Sequence, residues 1–60
     1  MIRKPEYTNR PGKHAYDIEV KLAETGKIAT FAQVAANNRA QAARIVSRDG
    51  HTVRNVNMVG

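Results

Sequence analysis

Cysteine is absent from the chain. That excludes disulfide staples and any zinc site built from thiolates, and it fits a reducing compartment. Aromatic residues are scarce at 5% of the sequence, namely Tyr7, Tyr16 and Phe31. Sixty residues make a single domain that covers its core poorly, so its stability must come from good packing or self-association. The large residues available as anchors are Tyr16, Ile18, Leu22, Ile28, Phe31, Ile45 and Met58, with Val56 and Met58 expected in the core. No apolar run approaches the roughly 20 residues needed to cross a bilayer. The opening Met-Ile-Arg-Lys-Pro, followed by polar residues, does not read as a signal peptide. The expectation is a cytoplasmic protein with no membrane partner.

Motifs of small-molecule chemistry are missing as well. Gly12, Gly26, Gly50 and Gly60 are isolated and none precedes a helix, so no phosphate-cradling glycine loop exists. His14 and His51 fall at opposite ends of the expected sheet, too far apart for a shared metal or acid–base site. Asp17 and Glu19 lie on one face of a strand, but beside Lys21 they read as solvent-facing charges rather than a catalytic pair. One helix on a small sheet also offers little concave volume for a substrate. The sequence therefore predicts no enzyme, no cofactor, no metal and no small-molecule substrate.

Acidic residues are the remaining shortage. Five carboxylates face ten lysines and arginines, and the excess is uneven. Residues 1–13 carry Arg3, Lys4, Arg10 and Lys13 against Glu6. Residues 37–49 carry Arg39, Arg44 and Arg48 against Asp49. The stretch between, residues 14–30, is slightly acidic. An excess of positive charge concentrated in two segments suits a polyanion or an acidic surface.

The first segment has two prolines, a glycine and no hydrophobic period, and Arg10-Pro11-Gly12-Lys13 reads as a turn. It predicts a basic, flexible arm over residues 1–13, followed by one domain over 14–60. Tyr16, Ile18, Val20 and Leu22 alternate with polar residues, as a half-buried strand does. Ala23–Lys27 supplies a glycine-bearing hairpin turn, and a second strand follows over 27–35 with a broken phase. Either Phe31 falls on the open face beside Gln33, the expectation adopted, or a bulge turns it inward. Asn37 and Asn38 open a helix that Gly50 ends, with Ala42 and Val46 at the centre of its inward stripe. A third strand, 51–59, closes the chain, although Val53 is out of phase with Val56 and needs a local twist.

The predicted fold is α+β, ordered β-β-α-β, with a three-stranded antiparallel sheet in the order 2-1-3 and one helix on one face. The expected function is nucleic-acid binding, DNA or RNA, through phosphate contacts from Arg3, Lys4, Arg10 and Lys13 of the arm. Gln41, Arg44 and Arg48 would add a helix ridge, the two arginines spaced i, i+4. Alternatives are a protein-binding module or inhibitor of phage or mobile-element type, or a structural homodimer. The module would meet an acidic protein through the open-face residues Phe31, Gln33, Asn55 and Asn57.

Overall fold

The computed structural model describes residues 1–59; Gly60, the last residue of the expected domain, lies outside them. Five elements follow one another: α1 (Pro5–Thr8), β1 (His14–Lys21), β2 (Ile28–Ala36), α2 (Arg39–Ser47) and β3 (Thr52–Met58). The strands form one antiparallel sheet in the order β2-β1-β3. The most regularly alternating strand is thus central, with Tyr16, Ile18 and Val20 buried on one face and Asp17 and Glu19 on the other.

Local chemistry explains the turns. The hairpin closes with Leu22 N–H donating to the Lys27 carbonyl and Gly26 N–H donating to that of Leu22, at 2.8 and 2.9 Å. Gly26 has φ +72°, a conformation that disfavours other L residues. His51 is buried, its ring 5.3 Å from that of Phe31, and its Nδ1 accepts from the Ala23 N–H at 3.2 Å. It is a satisfied core histidine that ties the hairpin turn to the start of β3.

Two bulges resolve the broken phases. In β2, Tyr16 pairs with Val34 but Ile18 pairs with Phe31, so Ala32 and Gln33 together oppose Asp17. The extra residue shifts the strand by half a period, and Phe31 and Val34 both turn inward. Phe31 is 1% exposed. The expectation that Phe31 sits on the open face as an interface residue is therefore corrected. Gln33 carries the geometric cost at φ 55°, and Asp17 Oδ1 accepts its N–H at 3.1 Å. We expect Asp17→Ala to lose about 1 kcal/mol in urea unfolding, and Gln33→Gly to gain about 0.5–1 kcal/mol by relieving the left-handed strain. A destabilised Gln33→Gly variant would count against strain at the bulge.

In β3, Glu19 pairs with Asn55 and Val20 with Val53, leaving Arg54 as the extra residue. This brings Val53 and Val56 onto the same face and supplies the local twist that Val53 needs. Met58 is a second correction. It lies opposite Tyr16 but at the end of the sheet, 62% exposed, where too little packs over it.

The largest difference concerns residues 1–13, expected to be a flexible arm. They fold back on the domain instead. Ile2 pairs in parallel with β2, its N–H donating to the Thr30 carbonyl and its carbonyl accepting from the Ala32 N–H, both at 2.7 Å. Pro5 then starts the single turn α1, where its missing N–H is no loss. Tyr7 enters the core at 3% exposure, edge-on to Phe31 with ring centroids 5.1 Å apart. Gly12 passes so close to β2 that a Cβ there would lie 2.4 Å from the Ala36 nitrogen. Both α1 and α2 thus cover the same face of the sheet, and Tyr7, Ala42 and Val46 share one core with Ile18, Val20, Phe31 and Val34.

Candidate nucleic-acid interface

Helix α2 begins with a reciprocal cap. Asn38 Oδ1 accepts the Gln41 N–H at 2.7 Å, and Gln41 Oε1 reaches back to the Asn37 N–H at 2.6 Å. Gln41, expected on the phosphate-facing ridge, therefore has its amide oxygen engaged in holding the helix start. Arg44 and Arg48 are both exposed, one turn apart.

The folded arm lies alongside this helix. At one end Lys13 N–H donates to Asn37 Oδ1 at 3.2 Å, just before the cap. At the other, the Tyr7 hydroxyl donates to Asp49 Oδ2, two residues beyond α2 and 42 positions away in sequence. Burial is the main force raising the Tyr7 phenol far above its usual pKa; the hydrogen bond to Asp49 and the negative charges of Asp49 and Glu6 add to it.

Between arm and helix end lies a cleft of about 260 Å³, lined by Glu6, Tyr7, Arg10, Ile45, Arg48 and Asp49. Arg10, expected on a loose tail, thereby lines the same cleft as Arg48. The carboxylates of the cleft have donors: Glu6 meets Lys4 at 3.9 Å and Asp49 meets Tyr7. Among the described residues neither Arg10 nor Arg48 is in an ion pair, and Arg10 Nε is shielded from water without an acceptor.

The other expected arm residues are not gathered there. Lys4 is half-buried, its Nζ 5.4 Å from the Phe31 ring centroid and 5.9 Å from that of Tyr7. It acts first on the core, as a cation over aromatic faces. Arg3 is exposed next to Ile2 at the edge of β2. Glu6, Tyr7, Ile45 and Asp49 were missed by the sequence reading. The one available signal was Tyr7, a lone aromatic in an otherwise polar segment.

The opposite face of the sheet carries the acidic pair Asp17 and Glu19, with Arg54 3.8 Å from Glu19, and the exposed Gln33, Asn55 and Asn57. Its edges are guarded. Ile2 occupies part of the outer edge of β2. On β3, Val59 N–H donates to Ala15, so by antiparallel alternation Val56 points its N–H outward. The Asn55 side chain takes that N–H at 3.0 Å, and the Arg54 bulge distorts the strand beside it.

No grouping of histidine and acidic side chains among the described residues could hold a metal, and no helix of theirs is long and apolar enough to cross a membrane. No known protein family, curated protein or solved structure matches the chain.

Proposed function

We propose that this chain is a small, non-enzymatic binding protein that contacts nucleic-acid phosphates through the surface shared by the folded arm and α2. One observation carries the reading: the Tyr7–Asp49 bond beyond the helix and the Lys13–Asn37 bond before it hold the arm at both ends of α2, and Arg10 lines one cleft with Arg48. The basic groups then act as one footprint on the helical side, while Asp17 and Glu19 lie across the sheet. A long polyanion is drawn to the first side, where the excess of cations lies, more than to the second, where Lys21 and Arg54 offset the two carboxylates. Guanidinium forks suit phosphate oxygens, and such contacts follow the backbone rather than read bases.

The competing readings draw less support. Burial of Phe31 removes the aromatic anchor from the open face, which leaves Gln33, Asn55 and Asn57. Guarded edges on β2 and β3 offer little to strand-mediated pairing.

Fluorescence anisotropy with labelled duplex DNA, single-stranded DNA and RNA tests the proposal. Binding should fall steeply with salt as counterions are released. Arg44→Ala/Arg48→Ala should weaken it about tenfold or more and reduce the log–log salt slope by about 2. Absence of binding to every polymer at low salt would sink the reading.

A further inference from the structure

We infer that the cleft between the arm and the end of α2 is a seat for a single phosphate group, held by Arg10 and Arg48. The inference rests on the nucleic-acid reading and deepens it: phosphate contact is concentrated at one built position rather than spread evenly over the basic surface. Arg10 is only half-buried, but a guanidinium N–H shielded from water ordinarily finds an acceptor. Arg10 Nε finds none among the described residues. Neither carboxylate of the cleft fills the gap: Asp49 Oδ2 takes the Tyr7 hydroxyl, Glu6 lies by Lys4, and neither is paired with Arg10 among the described residues.

Two guanidinium groups on the walls of one cleft can donate to different oxygens of one tetrahedral anion. The cleft, about 260 Å³, has room for a phosphate with part of its attached sugar. It falls below the usual volume of a site that encloses a whole drug-sized ligand. Ile45 supplies an apolar wall that excludes water from one side. A phosphate at a strand end, within a strand, or free in solution presents the same chemistry to the seat.

The direct probe is the side-chain Nε–H resonance of Arg10 in ¹⁵N-labelled full-length protein, titrated with inorganic phosphate at ionic strength held constant with chloride. We expect a saturable downfield shift, at least about tenfold weaker in Arg48→Ala. In Arg10→Lys, which keeps the charge and loses the fork, phosphate-dependent shifts of the Tyr7 and Asp49 amides should weaken similarly. A parallel titration compares one oligonucleotide with a 5′-phosphate or a 5′-hydroxyl. Tighter binding of the former assigns the seat to strand ends; equal binding with the same Arg10 shift assigns it to internal phosphates. Oligonucleotide binding without an Arg10 shift, unchanged in Arg10→Lys, overturns the seat and leaves the wider footprint standing. A saturable phosphate shift with no oligonucleotide binding overturns the nucleic-acid reading instead, and the seat then serves a free phosphate.

Discussion

Phe31→Ala is expected to leave little folded protein at room temperature. Phe31 is the largest of the fully buried side chains, and it stands where three parts of the chain meet. Tyr7 of the arm packs edge-on against it, the His51 ring lies 5.3 Å away, and Lys4 lies over its face. Truncating a buried phenylalanine costs about 3–5 kcal/mol, because the cavity adds to the lost transfer energy. A domain of this length has about 3–9 kcal/mol in total at ordinary values per residue. No disulfide limits the loss. Phe31→Leu refills much of the volume and should cost under about 2 kcal/mol. Urea unfolding followed by circular dichroism measures both. If Phe31→Ala loses less than about 1 kcal/mol, Phe31 is not in the core, the β2 bulge is misassigned, and the open face regains its aromatic anchor.

That bulge marks the boundary of what was legible in the sequence. Sheet order, helix and caps follow from local signals: strict alternation in β1, asparagines before α2, Gly50 after it. The face of Phe31 does not. It depends on whether one residue is left unpaired opposite Asp17, and that is decided by the gain from burying a large ring against the strain at Gln33. Alternation alone shows a broken phase at this point and at Val53; only the paired strand shows which way each break resolves. The arm differs from its sequence expectation for a related reason. Prolines, a glycine and four cations are the composition of a disordered tail, but Tyr7, bonded to a carboxylate 42 residues away, docks it together with the pairing of Ile2 on β2. Arg10, Arg44 and Arg48 were identifiable as candidate binding cations. Their grouping was not, since Arg10 and Arg48 line one cleft only when the arm is docked.

Tyr7→Ala should therefore release the arm while the sheet and α2 persist. The substitution removes a ring that is 3% exposed, its contact with Phe31 and its hydrogen bond to Asp49. What then remains is chiefly the Ile2 pairing with β2 and the Lys13–Asn37 bond, too little to offset the ordering entropy of about a dozen residues at about 1–2 kcal/mol each. Hydrogen exchange should become fast over residues 2–12, and global stability should fall by about 3 kcal/mol as Phe31 is bared on that side. Gly12→Ala should loosen the same segment by an independent route, since its Cβ would collide with the backbone of Ala36. Tyr7→Phe keeps the ring and loses only the hydroxyl bond, about 1 kcal/mol. It also isolates the pH dependence. The folded-state phenol titrates above its unfolded value of 10.0, so its contribution is fully present below pH 10 and is lost as the pH rises above it. The wild type should lose up to about 1.4 kcal/mol per pH unit in that range relative to Tyr7→Phe. Because Tyr7→Ala changes no charge but separates Arg10 from Arg48, it should also weaken nucleic-acid binding. If the arm stays protected in Tyr7→Ala, the latch is elsewhere; if the arm is released and binding is unchanged, the basic residues act as independent charges rather than as one assembled surface.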